Sequence, residues 1–221
     1  MRSIIEELSI EEWKAPETYA PSYNISPSQH APILRDTGTR SVRQMQWGLI
    51  PSWANDPSVG SQLINARSET ILKKPSFQHL VSNRRCIVIS DGYYEWKRTG
   101  NQKIPYYIRS KHHRLLPMAG LWDMWSAPNG KTIYSYTIIT TPPQDALAHI
   151  HHRMPAILPY KNLDIWLQHT RSSIDKAVEI LAPCREALRA HPVSAYVNSP
   201  VNNSIKCIEP VDSAETMDLF E

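Results

Sequence analysis

The sequence predicts a single α+β domain with a largely antiparallel, barrel-like β core and peripheral helices. Three observations favour this fold class. The chain has 221 residues, of which 41% are hydrophobic, enough for one sizeable core. Many short segments are rich in β-branched or aromatic residues and are bounded by Pro or Gly, as strands commonly are. These segments do not alternate regularly with helical ones, which argues against a parallel α/β fold.

The chain is expected to open on a short helix. Ser3 and Glu6 form an S-x-x-E capping box, and apolar residues follow at helical spacing as far as Leu8. The next segment, residues 16–32, is rich in Pro, Ser, Tyr and Asn, so we expect a long ordered loop there.

Eight short strands and five short helical segments are expected after that loop. The strands are Ile33–Arg35, Val42–Leu49, Cys86–Ser90, Tyr93–Lys97, Pro105–Arg109, Met118–Trp122, Tyr134–Thr140 and Ala156–Leu158. The helical segments are Glu69–Lys74 and Ser76–Val81, divided by Pro75, and then Gln144–His149, Asn162–Gln168 and Ser173–Leu181. No change in composition divides the chain, so one domain is expected over residues 1–210, followed by an acidic tail at 211–221.

The composition excludes several classes of protein. The chain has no apolar stretch of about 18 residues, which excludes a membrane-spanning helix. Its first residues are too acidic for a secretory signal peptide, so a cytoplasmic location is expected. Cys86, Cys184 and Cys207 form no C-x-x-C pair and are expected to be reduced and structural.

Positive charge is concentrated in the middle of the chain. Residues 61–115 contain 11 Lys and Arg against 3 Asp and Glu, whereas residues 1–60 contain 5 against 7 and residues 116–221 contain 8 against 11. A localised excess of this kind is typical of a surface that binds a polyanion. An ordinary solvated basic surface gives the same count, so both interpretations stay open.

Three groups of polar residues stand in otherwise apolar segments. Asn65, Arg67 and Glu69 alternate, so they would share one face of an extended segment and could bind a phosphorylated ligand. Glu95 lies between two aromatic residues in a predicted strand, where desolvation would raise its pKa and suit it to acid–base catalysis. The histidines at 149–152 could transfer protons near neutral pH.

Each group also has a purely structural explanation. The alternating segment could be a salt-bridged surface strand, and Glu95 could lie on the solvent face of its own strand. The histidines have neither spaced cysteines nor an H-E-x-x-H pattern, so no metal site is expected.

Taken together in their order, eight segments resemble the SOS response-associated peptidase (SRAP) family. The resemblance runs from Tyr23 to Asn203, nearly the whole chain. The segments are YNISPSQ (23–29), WGLIPSWA (47–54), INARSET (64–70), RCIVISDGYYEWK (85–97), MAGLWD (118–123), YTIITT (136–141), IHHRMPAIL (150–158) and VNSPVNN (197–203).

The resemblance implies recognition of abasic sites in single-stranded DNA, as part of the SOS response to DNA damage. In the family, the α-amine and thiol of an N-terminal cysteine capture the aldehyde of the opened deoxyribose as a thiazolidine, with associated self-processing peptidase and lyase-type chemistry. The family's pattern implies that Asn65 positions the sugar and that Glu95 is a general acid and base at the amine and sugar carbons. It implies that His151, within I-H-x-R-x-P, transfers a proton to the ring oxygen.

The resemblance also implies a set of DNA-binding residues. Arg67 and Arg153 would bind phosphates, while Asn24, Pro27 and Trp53 would shape the path of the strand; stacking of a base on Trp53 would contribute ~1–3 kcal/mol. The implied partner is single-stranded DNA with an abasic site. The protein is expected to be a nucleoid-associated monomer that binds no membrane, no metal and no small-molecule cofactor. On charge alone, the basic face would be widened by Lys73, Lys74, Arg84 and Arg85.

The chain departs from the family at its start. Family members begin Met-Cys-Gly-Arg with a short strand, whereas this sequence begins with Arg2 and Ser3 at the predicted helix. The family's first strand is therefore expected to be missing, and thiazolidine formation is not expected. Three explanations for this departure stay open: a mis-assigned start or trimmed chain, a cysteine-less paralogue that binds single-stranded DNA without catalysis, or a substitute nucleophile. A thiol peptidase that uses Cys86 or Cys184 is a further alternative. Whether the chain is an enzyme therefore stays open.

Overall fold

The computed structural model describes residues 2–168, 174–183 and 186–211. Within them, the helices are α1 Arg2–Glu7, α2 Leu80–Asn83, α3 Leu163–Leu167 and α4 Ile174–Glu179. The strands are β1 Glu12–Trp13, β2 His30–Asp36, β3 Arg40–Trp47, β4 Asn65–Arg67, β5 Arg85–Val88, β6 Tyr93–Thr99, β7 Gln102–Ser110, β8 Met118–Ser126, β9 Thr132–Thr141, β10 Met154–Pro155 and β11 Leu188–Pro192. No described helix is long and apolar enough to cross a bilayer.

Five strands close into a barrel. Strands β3, β2, β5, β8 and β9 are hydrogen-bonded in that order, and β9 returns to β3. All neighbours in this ring are antiparallel except the closing pair, in which Gln46 and Trp47 lie beside Ser135 and Tyr136 in parallel. The fold is therefore α+β with a largely antiparallel, closed barrel, as the sequence predicted.

Alternation along the barrel strands separates two hydrophobic clusters. One cluster fills the barrel interior and includes Ile33, Met45, Cys86, Trp122 and Tyr136. The other lies on the outer face beneath the helices; among its members are Leu34, Val42, Ile87, Leu121 and Trp166. Burial of each large side chain contributes about 1.5–3 kcal/mol, so the two clusters together hold the barrel closed and the helices against it.

A second, three-stranded antiparallel sheet is formed by β6, β7 and β11. One of its faces packs Ile108 against Leu147 and Ile150. Because residues 147–150 precede β10, this contact holds the loop before β10 against the sheet that contains β6. The loop carries one candidate residue, His151, and β6 carries another, Glu95.

The observed elements differ from the expected ones mainly in extent. Seven of the eight expected strands overlap an observed strand, and the eighth forms slightly earlier, at β10. The predicted helices are short or reduced to 3₁₀ turns: Ser68–Thr70 and Asp145–Leu147 replace two of them. The predicted capping box is wrong. Ser3 lies within α1 and not before it, and its hydroxyl accepts a hydrogen bond from Arg114 at 2.8 Å. The expected tail beyond residue 211 lies outside the described residues.

Candidate active site

Glu95 and His151 meet between the second sheet and the loop before β10. Their Oε2 and Nδ1 atoms are 3.3 Å apart, and their side chains are 21% and 34% exposed. Strand β6 places Glu95 on the sheet face opposite to Tyr94, which packs with Tyr107 on the other side. The alternation of β6 and the burial of Ile150 therefore bring the carboxyl and imidazole groups together.

The carboxyl group of Glu95 has a raised pKa. Burial raises the pKa of Glu95 to about 7, while the charge of His151 and the Trp96 backbone N–H oppose that rise. A carboxyl group with a pKa in this range can both accept and donate a proton near neutral pH.

The imidazole of His151 is held in place whether or not Nδ1 carries a proton. A protonated Nδ1 can donate to the Arg153 carbonyl at 3.1 Å or to Glu95 at 3.3 Å. An unprotonated Nδ1 can accept from the Arg153 backbone N–H at 3.3 Å. A proton can therefore move between Glu95 and His151 without displacing the ring, as general acid–base catalysis requires.

The pair opens onto a cleft of about 430 Å³, called here the Glu95 cleft. Its lining consists of Glu95, Trp96, Arg98, Lys103, His151 and Asn198. Trp96 Nε1 donates to Asn198 Oδ1 at 2.8 Å, which joins β6 to the segment around residue 198. Arg98 and Lys103 face each other across the β6–β7 hairpin and bring positive charge to the cleft. The sequence patterns do not point to Trp96, Arg98, Lys103 or Asn198, although Asn198 lies in the VNSPVNN segment.

Asn65 and Arg67 lie on β4, which pairs in parallel with the end of β9. Both residues are exposed and Ala66 between them is buried, so the expected extended segment with one polar face is confirmed. Neither side chain has a hydrogen bond or ion pair with any described residue. Glu69 differs from the expectation, because it lies in the 3₁₀ turn after β4 and not on the strand.

Arg153 is engaged by the protein itself. Its guanidinium forms a bidentate pair with Glu69, at 2.7 and 3.0 Å, and also donates to the carbonyl of Thr140. The hydrogen bonds from Arg153 lower the pKa of Glu69, so the pair stays ionised. Because most of its N–H groups are used, Arg153 is placed to tie the loop of His151 to β9 and to the turn after β4. Its expected phosphate contact stays a prediction.

Strand β9 places Asn65 and the loop that carries His151 around one end of the barrel. Near Thr140, β4 pairs with one side of β9 and β10 with the other. Strands β4 and β10 are therefore two interstrand spacings apart, about 10 Å between their backbones. His151 and Arg153 directly precede β10, so they lie across β9 from Arg67. A ligand the size of one nucleotide could contact both flanks of β9.

Asn24 is buried and bonded to the neighbouring chain. Its amide nitrogen donates to the carbonyls of Val197, Ser199 and Asn202, at 3.0, 3.2 and 3.0 Å. These hydrogen bonds fix the loop that carries Asn198 and occupy the amide nitrogen. The expected role of Asn24 in shaping the path of DNA stays a prediction.

The other two DNA-binding candidates are exposed. Pro27 lies in a turn whose next residue, Ser28, has a φ of +73°. Trp53 is 60% exposed, although its turn is fixed because Ala54 accepts a hydrogen bond from Trp125 Nε1 at 2.7 Å. Both side chains are available to a ligand, and their roles stay predictions.

Arg85 does not form part of the expected basic face, and Arg84 is only half-exposed. Arg85 is fully buried, and its guanidinium donates to the carbonyls of Trp166 and Val81; burial lowers its pKa to about 10. Arg84 stacks over Trp122 with 4.2 Å between its guanidinium carbon and the ring centre. Charge alone could not reveal this, because it does not show which way a side chain points. Lys73 and Lys74 are exposed.

The described cysteines offer no accessible thiol. Cys86 and Cys207 are free and buried, and burial raises the pKa of the Cys86 thiol well above its usual value. A thiol peptidase that uses Cys86 is therefore wrong, since a nucleophilic thiol needs exposure and a low pKa. Cys184 lies outside the described residues. Across the described ranges, no three His, Cys, Asp or Glu residues come together where a metal ion could bind.

Known proteins resemble this chain in both sequence and structure. A family model described as SOS response associated peptidase (SRAP) matches residues 1–200. The chain is 41% identical over 209 residues to the abasic site processing protein YoqW of Bacillus subtilis (strain 168), covering 93% of each. It is 38% identical over 242 residues to the abasic site processing protein HMCES of Pongo abelii, covering 91% of this chain and 68% of that one. A crystal structure of a protein from Bacteroides thetaiotaomicron superposes with a TM-score of 0.75 at 32% identity, covering 84% of this chain and 82% of that one.

Proposed function

The chain belongs to the SRAP family, and on that premise we propose that it recognises abasic sites in single-stranded DNA and binds the opened sugar in the Glu95 cleft. The observation that carries the proposal is the contact of 3.3 Å between Glu95 and His151 in a cleft that also holds Arg98 and Lys103. A shared proton and nearby positive charge suit a phosphorylated sugar with a reactive carbon.

The chemistry follows from what the abasic sugar can do. Its C1′ carries a hydroxyl group, so the ring opens when that hydroxyl loses a proton and the ring oxygen gains one as the C1′–O bond breaks. His151 supplies the proton to the ring oxygen, and Glu95 accepts the hydroxyl proton. A nucleotide that keeps its base has no C1′ hydroxyl and cannot react in this way, which gives the cleft a chemical basis for selection.

Other residues hold the strand and the pair in place. The exposed Arg67 and the cleft residues Arg98 and Lys103 contact backbone phosphates, and Trp53 stacks on a neighbouring base. Arg153 positions His151 through its bonds to Glu69 and Thr140. Together these residues recognise the abasic site and open its sugar ring.

Fluorescence anisotropy with three oligonucleotides tests the proposal. The first carries a natural abasic site, the second a tetrahydrofuran analogue without the C1′ hydroxyl, and the third is unmodified. We expect the tightest binding to the natural site, and we expect Glu95→Gln and His151→Gln to remove this preference. The matched control is Glu17→Gln, an exposed carboxylate in the loop after β1. Equal affinity of the wild-type chain for all three oligonucleotides would contradict the proposal.

A non-catalytic single-stranded DNA-binding module is the second candidate. It is supported by the exposure of Trp53 and by Arg67, whose side chain has no ion pair with a described residue. This candidate predicts that binding survives both changes at Glu95 and His151, yet falls with Arg67→Ala and with rising salt. The same anisotropy assay therefore separates the two functions.

A further inference from the structure

Three arginines and two aromatic rings gather at the other mouth of the barrel. This distal cluster consists of Arg35, Arg43, Arg84, Trp122 and Tyr134. The guanidinium carbons of Arg84 and Arg35 lie 4.2 and 4.7 Å from the Trp122 ring centre, and that of Arg43 lies 4.1 Å from the Tyr134 ring centre. The two rings are stacked, with centres 6.2 Å apart. Guanidiniums at these distances are attracted to the ring faces, which hold them in position.

The distal cluster carries uncompensated positive charge. None of its three arginines has an ion pair with a described residue, whereas Arg40 pairs with Asp164 and Arg153 with Glu69. Burial lowers the pKa of Arg35, and the charges of Arg43 and Arg84 lower it further. Cation–π contacts hold the guanidiniums but do not neutralise them, so their mutual repulsion remains.

Hydrogen-bond donors in the same cluster also lack acceptors. Nε of Arg35, Nε of Arg43 and Nε1 of Trp122 are shielded from solvent and have no hydrogen-bond partner among the described residues. A buried donor without an acceptor destabilises a fold. The arginine side chains are nevertheless only partly buried, and their terminal guanidinium nitrogens are not among the shielded donors, so a solute can reach these ends. Unpaired charge and unpaired donors together suit the binding of a negatively charged hydrogen-bond acceptor.

The distal cluster is separate from the Glu95 cleft. Tyr134 lies six residues before Thr140 on β9 and on the same, inward face, so about 20 Å of strand separates the two ends. Met45, Tyr136 and Ile138 fill the barrel between them. No part of the proposed ring-opening chemistry uses this second mouth.

We propose that the distal cluster binds a phosphate oxyanion, either free inorganic phosphate or a phosphate of a nucleic acid backbone. Guanidinium groups match phosphate geometry because their parallel N–H groups bind two oxygens at once. Three guanidiniums already fixed by stacking lose little freedom on binding, which favours affinity. The assignment does not depend on abasic-site recognition.

Isothermal titration of the whole chain with sodium phosphate, against sodium chloride at equal ionic strength, tests the proposal. We expect saturable phosphate binding that Arg43→Gln weakens by about tenfold, the loss of one charge-assisted contact. The matched control is Arg109→Gln, which removes the same charge from a separate cleft that also contains Arg114 and Arg189. This control is expected to bind phosphate like the wild type.

Two results would overturn the proposal. One is equal phosphate affinity in the wild type and Arg43→Gln. A higher melting temperature of Arg43→Gln would then show only that the substitution relieves charge repulsion. The other is a loss of binding in Arg109→Gln, which would place the anion in the other cleft. Unmodified single-stranded DNA then distinguishes the two sources. If this DNA competes with phosphate, the distal cluster binds a phosphate of the nucleic acid backbone. If phosphate binding is unchanged in the presence of the DNA, the distal cluster binds free inorganic phosphate.

Discussion

At the scale of single residues, the pKa of Glu95 depends on its contact with His151 and on the burial of its side chain. The pKa of its carboxyl rises to about 7 because β6 turns it away from solvent, and His151 keeps it within reach of ionisation. The flanking aromatic residues predicted this desolvation, but they did not predict its partner. His151 lies 56 residues further along the chain, and the packing of Ile150 and the hydrogen bonds of Arg153 bring it to Glu95.

Replacement of Glu95 by Gln should make stability less dependent on pH. The carboxyl pKa rises from 4.5 to about 7 on folding, so the protonated form favours the fold, and its contribution is complete below pH 4.5 and lost as pH rises through 7. Glu95→Gln imitates the protonated form, and relative to wild type it should gain about 3 kcal/mol between about pH 4 and pH 8. Urea unfolding at both pH values measures this, with Glu17→Gln as control; a gain independent of pH would contradict it.

At the scale of elements, loops far apart in sequence hold the site together. Asn24 binds the loop at 197–202, and Arg153 binds both β9 and the turn after β4. The composition of the short segments predicted where most strands lie. The partners of Asn24 and Arg153 could not be predicted, because a buried amide or a paired guanidinium is recognisable only once the folded neighbours are known.

Asn24→Ala should destabilise the protein and loosen the Asn198 loop. Three carbonyls would lose their shared donor, at a cost of about 2 kcal/mol. Urea unfolding gives the free energy, and hydrogen exchange at 197–202 should quicken. The control is Asn129→Ala, whose side chain accepts one hydrogen bond in an exposed turn. Unchanged exchange at 197–202 would show that Asn24 does not fix this loop.

Gly48→Ala should be far more costly than Gly100→Ala. Both glycines have positive φ, but a Cβ at Gly48 would lie 2.6 Å from the Gly60 carbonyl oxygen, whereas nothing lies within 4 Å of one at Gly100. Backbone strain alone costs about 1–2 kcal/mol, so Gly100→Ala should lose about that much and Gly48→Ala clearly more. Thermal unfolding compares the two. Equal losses would mean that Gly60 moves aside, and the turn leading to Trp53 is then less rigid than its contacts indicate.

At the scale of the whole molecule, the basic central third divides into separate surfaces. Arg98 and Lys103 line the Glu95 cleft, Arg84 belongs to the distal cluster, and Arg85 is buried in the core. The charge count predicted an excess of positive charge but could not predict its division, because neighbouring residues on a barrel strand point to opposite faces.

The salt dependence of DNA binding should identify the surface that DNA contacts. Arg98→Gln should lower the slope of log affinity against log salt by about 0.7, the value for one phosphate contact on a single strand. Arg109→Gln in the other cleft should leave it unchanged. Anisotropy over a range of salt concentrations measures the slopes, and a larger effect of Arg109→Gln would move the DNA path away from the Glu95 cleft.

The central claim is that Glu95 and His151 open the abasic sugar, and NMR of an oligonucleotide labelled with ¹³C at C1′ tests it most directly. The two hemiacetal anomers interconvert only through the open aldehyde, so their exchange rate reports ring opening. We expect the wild-type chain to accelerate exchange by about 100-fold or more, and Glu95→Gln to lose that acceleration while still binding the oligonucleotide. Equal exchange rates with wild type and Glu95→Gln would contradict the claim.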